Sequence, residues 1–503
     1  MRLVNILLSI MLILPIVSTA QPNMDWFRMY DINQVEEFVD IYTVADGGYA
    51  ICGTVSIDER QYPDGEQYFW LSRVDDHGNQ VWQGSYGIDN AINRASSLIE
   101  TEDGGFLVVG RNNVEGHHVA ALLTDADGEQ IWYRTFRPGC CRAVIELKSG
   151  EFVLAGGEYG VAGLVMCINS EGRVLWETEI NPRVERSAHS YFYALRETQG
   201  GIVLAGTINN LVIGVQHILW IAKVNFEGDL LWQRQYGNIE NHQYWYSMVS
   251  AQDEGFVLGG TVGGTRENNR FVTDFLLSKV DDDGEIQWNR RFHFDLGNRN
   301  SDFQVCYNLV KYDDEGYALV GTLQSSGGDE IPAFIQVNNN GEELWRQMYD
   351  FSAEVDFGGS NYFYGGVKGH DNSIIACGIV NYIPAIPPRN GFIMKLEPYL
   401  RAPLIMFYEP EDTVFTVLQG DTVDFLVRAY DAQGDELSYL WTVGDDTISR
   451  DTTATYCFEE LGEYIVTCRV SDGEFTASIN WRVTAVEFYI VDFRPDSTEM
   501  TIR

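Results

Sequence analysis

Basic residues are scarce in this chain: 34 Lys and Arg stand against 73 Asp and Glu among 503 residues, a formal net charge of −39. A field of that sign repels phosphate backbones and anionic lipid, so nucleic acid is excluded as an expected partner. Cysteine is sparse as well. Eight residues, Cys52, Cys140, Cys141, Cys167, Cys306, Cys377, Cys457 and Cys468, are too few in so long a chain for the fold to depend on disulfides as a small scaffold does. No CxxC, HExxH, G-x-S-x-G or phosphate-binding loop occurs, so the strong zinc, hydrolase and nucleotide signatures are missing. Helical periodicity is missing too, and no apolar run reaches the roughly twenty residues of a membrane span. The sequence therefore assigns no catalytic, cofactor-binding or metal-ligating residue, and it leans away from an enzyme.

One short apolar run is present. Arg2, the stretch from Val4 to Val17, and Ser18-Thr19-Ala20 before Gln21 have the charged, apolar and small-residue order of a secretory signal peptide. Cleavage is expected after Ala20. The first cysteine, Cys52, is too distant for a lipid-anchored lipoprotein, so a secreted or cell-surface protein is expected, with no membrane insertion after cleavage.

What dominates the rest is repetition. "VDDDGEIQW" ends at Trp288, and close relatives end at Trp82, Trp132, Trp176, Trp232 and Trp345, roughly fifty residues apart. Upstream of each lies a second signature, such as "DGGYAICGT" or "DEGFVLGGT", whose closing glycines are Gly53, Gly110, Gly156, Gly206, Gly260, Gly321 and, in a weaker copy, Gly378. Short apolar runs lie between and before the two signatures. Each unit thus predicts four short strands separated by Gly, Asn and Asp turns, which is the pattern of a β-propeller blade.

Seven glycine signatures need seven tryptophan strands, and the seventh is found at the other end of the chain. "MDWFRMYD", with Trp26 and Tyr30, matches "LLWQRQYG". The expectation is an all-β protein whose seven-bladed β-propeller is closed by an N-terminal strand, which leaves no open edge. The D-x-x-G segments read as tight hairpins in which Asp or Asn caps the turn and Gly takes positive φ, followed by a tryptophan packed against the neighbouring blade. Calcium is the one cofactor weighed, because "DADG" and "DDDG" are rich in oxygen; turns are preferred, since calcium wants six to eight oxygen ligands and neither loop has the downstream glutamate of an EF-hand.

Units of the type "DGGYAICGT…FWLSRVDDHGNQVWQGSYG" resemble secreted bacterial and archaeal β-propeller repeat proteins of PQQ-like or WD-like type, over about residues 24 to 398. The resemblance implies the fold and leaves the activity open. A quinoprotein dehydrogenase is a lesser alternative, suggested by the G-x-x-x-W signature and the adjacent Cys140 and Cys141. From Ala402 the pattern changes: "DTVDFLVRAYDAQGDELSYLWTVGDD" and "CFEELGEYIVTCRVSDGEF" resemble a PKD-type immunoglobulin-like sandwich, with Trp441 as its core tryptophan and Tyr464, Val466, Cys468 and Val470 on one face. Cys457 and Cys468 flank a predicted hairpin, Cys457 outward and Cys468 inward, which argues against a bridge between them. "DFRPDSTEMTI" near the C-terminus echoes "FYEPEDTVFTV", as if a second sandwich began there. The expected domains are a signal peptide (1–20), the propeller (21–400), the PKD sandwich (401–487) and the start of a second sandwich (488–503).

Candidate functional residues are few. His117 and His118 read as solvated loop residues, and His189, His242 and His370 are scattered. The aromatic-rich loops with Tyr244-Trp245-Tyr246 and Tyr362-Phe363-Tyr364 precede innermost strands and could line the channel; they suit sugar faces, but packing between blades is the preferred reading. The mouth of the central channel is the expected ligand site. The function expected is a non-catalytic recognition or scaffold protein that binds an extracellular protein or glycan. The alternative is a propeller enzyme acting on extracellular polysaccharide, with a carboxylate pair hidden in its loops.

Overall fold

The computed structural model describes residues 24–30, 35–56, 65–157, 162–183, 187–210, 216–237, 242–265, 271–295, 303–312, 316–324, 330–349, 361–381, 389–396, 403–431, 435–444, 446–473, 475–487, 490–492 and 501–502. The expected leader and most of the segment assigned to a second sandwich lie outside them. The chain divides into two compact units, Asn23–Pro398 and a second that takes in Tyr399–Arg503.

The described residues of the first unit form seven four-stranded antiparallel sheets. Sheets 1 to 6 take their strands in chain order from residues 35–86, 93–138, 140–180, 187–236, 242–292 and 303–348. Sheet 7 combines Asn361–Lys368, Ile374–Asn381 and Arg389–Leu396 with Met24–Tyr30, whose register runs from Met24↔Leu396 to Tyr30↔Gly391. Apolar patterning explains which strand goes where. Second and third strands such as Tyr49–Ser56, Phe152–Gly157 and Gly163–Ile168 are buried along their whole length, as strands covered on both faces must be. Fourth strands such as Gln80–Tyr86 and Val174–Ile180 alternate between half-buried and exposed, so they form the rim.

Sheets pack face to face through shared cores. Leu107 and Val109 of sheet 2 lie in one cluster with Val144, Phe152 and Leu154 of sheet 3. Phe334 of sheet 6 meets Phe363 of sheet 7 at 4.8 Å between ring centroids. Ile375, Cys377 and Ile393 of sheet 7 share a cluster with Phe38, Ile41 and Trp70 of sheet 1. This all-β arrangement of four-stranded sheets fits a β-propeller.

The recurring D-x-x-G turn has two jobs. In sheet 1, Asp75 Oδ1 accepts the backbone N–H groups of His77 and Asn79 at 2.9 and 2.8 Å, and Gly78 holds φ at +74°. Asp125, Asn169, Asn225, Asp281 and Asn338 accept in the same way, so these oxygens cap turns. The second job was not visible in the turn alone. A methyl added at Gly78, Gly128, Gly284 or Gly341 would lie 2.7 to 2.8 Å from ring carbons of Trp26, Trp82, Trp232 and Trp288 respectively. Each of these tryptophans therefore lies on the turn glycine of the next sheet. Tyr30, Tyr86 and Tyr236, four residues further on, donate their hydroxyls to the carbonyls of Gly78, Gly128 and Gly284 at 2.6 to 2.7 Å.

The second unit is a two-sheet sandwich. Leu404–Glu409, Thr422–Tyr430 and Thr453–Cys457 form one sheet; Val414–Leu418, Thr476–Val486, Gly462–Ser471, Ser438–Val443 and Asp446–Ser449 form the other. Trp441 and Trp481 stack at 5.6 Å in its core, beside Phe425, Val466, Cys468 and Val470. The expected hairpin between Cys457 and Cys468 is corrected: their strands belong to different sheets, and the chain crosses between the layers there. Cys457 is exposed, Cys468 buried, and all eight cysteines are free thiols. Cys140 and Cys141 are thus not joined; both are buried, with their thiols aimed at the carbonyls of Gly157 and of Ala143 and Ala155. Ile490–Asp492 pairs with Thr501–Ile502.

Candidate functional site: a tyrosine-walled channel

The closing glycines of the repeat set the geometry of a site. Gly53, Gly110, Gly156, Gly206, Gly260, Gly321 and Gly378 face, across the first two strands of their sheets, Phe38, Ala95, Cys141, Phe192, Trp245, Cys306 and Phe363. A side chain at any of these glycines would overlap the carbonyl of the residue before its partner, from Glu37 in sheet 1 to Tyr362 in sheet 7. In the first strand, the register then slips by one residue immediately after each partner, which is a β-bulge. Glycine is required because the bulged strand presses its carbonyl into the space a Cβ would occupy.

The unpaired residue of each bulge is Val39, Ser96, Arg142, Tyr193, Tyr246, Tyr307 or Tyr364. All seven line one cavity of about 1190 Å³, walled by the first strands of the seven sheets. Their alternate neighbours Phe38, Phe192, Trp245 and Phe363 point the other way and are fully buried. Four consecutive sheets contribute a continuous aromatic belt: Tyr193 to Tyr246 5.1 Å, Tyr246 to Tyr307 5.5 Å and Tyr307 to Tyr364 5.2 Å between centroids. A second tier stands behind it. Tyr244 stacks on Tyr246 at 5.2 Å, Tyr362 on Tyr364 at 5.8 Å, and Tyr191 approaches Tyr193 at 6.1 Å. Burial pushes the Tyr193 phenol up and that of Tyr307 up to about 12, so both are neutral hydroxyls.

The opposite wall is polar. Burial raises the Asp40 carboxyl to about 6, while the Ser97 hydroxyl and the N–H groups of Leu98 and Ile41 pull it down. Both oxygens are engaged: Oδ2 accepts from Ser97 Oγ at 2.8 Å and Leu98 N at 3.1 Å, and Oδ1 from Ile41 N at 3.0 Å. Asp40 thereby clamps sheet 1 to sheet 2. The matching position in sheet 6, Asn308, makes the equivalent tie to Ser247 of sheet 5 at 3.4 Å. Arg142 holds its guanidinium 5.6 and 5.8 Å from the ring centroids of Tyr191 and Tyr193.

The aromatic triplets lie within the first strands His242–Ser250 and Asn361–Lys368 and not in loops before them, which corrects that expectation, and the geometry divides them. Trp245 and Phe363 pack between sheets, as preferred from the sequence, whereas Tyr244, Tyr246, Tyr362 and Tyr364 belong to the belt and its second tier. That part of the packing expectation is corrected; the bulge turns the tyrosines inward. The scattered histidines also gather. His217 and His242 place their Nδ1 atoms 2.9 Å apart, His217 lies 4.3 Å from the Tyr244 ring, and His189 stacks on Tyr191 at 6.3 Å. Burial lowers His217 to about 4, so this pair is neutral near pH 7. His117 is exposed, as expected, whereas His118 is half-buried and begins the strand His118–Thr124, which corrects its loop assignment; His370 Nε2 reaches the Val44 carbonyl at 3.0 Å. Arg142, Tyr193 and Tyr307 were missed. Their signal was present as a fixed offset: the bulge residue stands fourteen positions before each closing glycine, and thirteen in sheet 4.

Residues 408–484 match the PKD domain family. No curated protein matches the chain. Among solved structures, a protein of unknown function from Dyadobacter fermentans is similar with a TM-score of 0.45 and 11% identity, covering 75% of this chain and 99% of that one. A fungal alcohol oxidase of the AA5 family, in complex with copper, has a TM-score of 0.43 and 10% identity, covering 92% and 99%. An α-L-arabinanase from Penicillium chrysogenum, complexed with arabinobiose, has a TM-score of 0.40 and 11% identity, covering 73% and 98%. No helix among the described residues is long and apolar enough to cross a membrane.

Proposed function

We propose that this is a secreted recognition protein whose seven four-stranded sheets are the blades of a propeller closed by the N-terminal strand, and that it binds an extracellular glycan in the central channel. The observation that carries this reading is the set of seven bulges in register, which aims one residue per sheet into one cavity and makes four successive ones tyrosine. Tyrosine rings offer flat apolar faces to the C–H faces of sugars and neutral hydroxyls to their oxygens. Export rests on the order of Arg2, the Val4–Val17 run and Ser18-Thr19-Ala20. The net charge of −39 supports a ligand other than nucleic acid, and the PKD domain supports a modular extracellular protein.

A binding role fits the engagement of Asp40, whose oxygens are spent on inter-sheet hydrogen bonds. A second reading, an enzyme acting on extracellular polysaccharide, is favoured by one observation: burial raises the carboxyl of Asp40 in the cavity wall to about 6. A glycan array probed with the purified chain, with and without calcium, tests both. Specific capture that is lost in Tyr246→Ala and leaves the captured glycan intact supports recognition; cleavage of the captured glycan that stops in Asp40→Asn supports the enzyme. Absence of capture on every glycan sinks both.

A further inference from the structure

The channel inverts the charge of the molecule around it. Six of the chain's 34 basic residues line the cavity, Arg94, Arg111, Arg142, Arg196, Lys311 and Lys368, against only four of its 73 acidic ones. All four are engaged, among them Asp40 by the hydrogen bonds above, Glu100 by the N–H of Ala45 at 2.9 Å, and Glu146 by the N–H of Glu102 at 2.8 Å. Among the cations, Arg94 is committed to Gln67 Oε1 at 2.8 Å. Arg142 forms no ion pair among the described residues, and its Nε is enclosed without a hydrogen-bond partner. Arg196, also half-buried, spends one N–H on the Leu195 carbonyl at 2.7 Å and lies within electrostatic reach of Tyr42 and Asp40.

An unpaired guanidinium held over tyrosine faces is an unusual thing to enclose. Its donors form a planar fork that matches a carboxylate, and charge-assisted hydrogen bonds from such a ligand would satisfy the Nε that the protein leaves open, beside the contact the guanidinium makes with the Cys140 thiol. Arg142 also belongs to the same ring of bulge residues as the tyrosine belt and stands beside Tyr193. A ligand that laid a sugar ring on Tyr193 and Tyr246 would bring a ring substituent to Arg142.

Building on the glycan reading, we propose that the ligand is an acidic glycan, with a uronate-type carboxylate taken by Arg142, Arg196 supporting the charge from the wall of the same cavity, and the tyrosine belt taking the sugar rings. The negative field of the whole molecule repels long polyanions at a distance, so short oligosaccharides or chain ends are favoured over the middle of an acidic polymer.

The test prints oligoglucuronate, oligogalacturonate and oligomannuronate beside their carboxyl-reduced forms and probes them with the full chain and its variants. The expected result is capture of an acidic series, at least about tenfold weaker capture of its reduced form, and a comparable loss in Arg142→Gln. Arg142→Lys is expected to recover part of that loss, which a merely misfolded variant would not do. Tyr246→Ala is expected to weaken both series. Equal capture of acidic and reduced forms, lost in Tyr246→Ala, keeps the glycan reading and overturns the acidic one. Capture of the acidic series that Arg142→Gln and Arg196→Gln both leave unchanged overturns the assignment of these arginines. Capture of neither series overturns both readings.

Discussion

At Asp40 a single carboxyl couples the channel to stability. Its pKa in the fold is about 6 against an ordinary 3.8, because burial disfavours the charge more than Ser97, Leu98, Ile41 and the more distant Arg196 favour it. A raised folded pKa means that the unfolded chain releases this proton first as pH rises. Stability from the protonated form is therefore complete below about pH 4 and is lost as pH rises to about 6. Asp40→Asn carries no such loss. Its amide nitrogen cannot accept the Leu98 N–H, so the variant is expected to be less stable than the parent near pH 4 and to close that gap by about 1–3 kcal/mol above pH 6, read from urea denaturation at both pH values. Identical pH dependence in the two proteins would show that the carboxyl is not strained.

Two glycines separate backbone conformation from packing. Gly104 (φ +81°) and Gly128 (φ +83°) both need a left-handed backbone, but a methyl at Gly104 meets nothing within 4 Å while one at Gly128 meets the Trp82 ring. Gly104→Ala is expected to cost about 1 kcal/mol, from conformation alone. Gly128→Ala adds displacement of the ring and is expected to cost about 2–4 kcal/mol. Equal costs would mean that the ring gives way freely.

Along one strand, His242–Ser250, neighbouring residues have different duties. Trp245 is fully buried with its Nε1 donating to Ser278 Oγ at 3.1 Å, while Tyr246 is half-buried and faces the channel. Trp245→Ala is expected to destabilise by about 3–5 kcal/mol, and Tyr246→Ala by less than about 2 while losing ligand. Thermal melts with binding measured in parallel check this. The strand also explains how far the sequence could be read. Its existence, its neighbours and its turn follow from the apolar run and the D-E-G signature, because turn chemistry and burial are local. The direction of Tyr246 does not, because it depends on the slip after Trp245, and a bulge carries no residue signature of its own. Only the glycine opposite marks it, and that glycine reads equally well as a turn or a weak strand position until the partner strand is known. Trp441 was legible for the opposite reason: plain alternation with no slip puts it in the sandwich core.

For the molecule as a whole, the two units have separate cores. Residues 403–487 enclose Trp441, Trp481, Phe425 and Phe458 among themselves. Expressed alone, this segment is expected to fold with a cooperative thermal transition; a featureless melt would contradict its independence. The first unit depends on its first strand. Removing residues 1–30 strips Trp26 from the glycine of the first sheet's turn and uncovers Arg389–Leu396, leaving an open, apolar edge. Loss of soluble monomer is the expected outcome, measured by size-exclusion chromatography.

The two units also differ in how their strands would carry a pulling force. Met24 pairs with Leu396 in antiparallel sense, so tension between the ends of the first unit loads one backbone pair at a time, in the manner of a zipper. In the second unit Val414–Leu418 runs parallel to the closing strand, from Val414↔Arg482 to Leu418↔Val486, so tension drawn along it is shared by five pairs at once in shear. A chain pulled from its two ends would yield first by peeling the strand Met24–Tyr30 away and uncovering Arg389–Leu396, while the sandwich stayed intact.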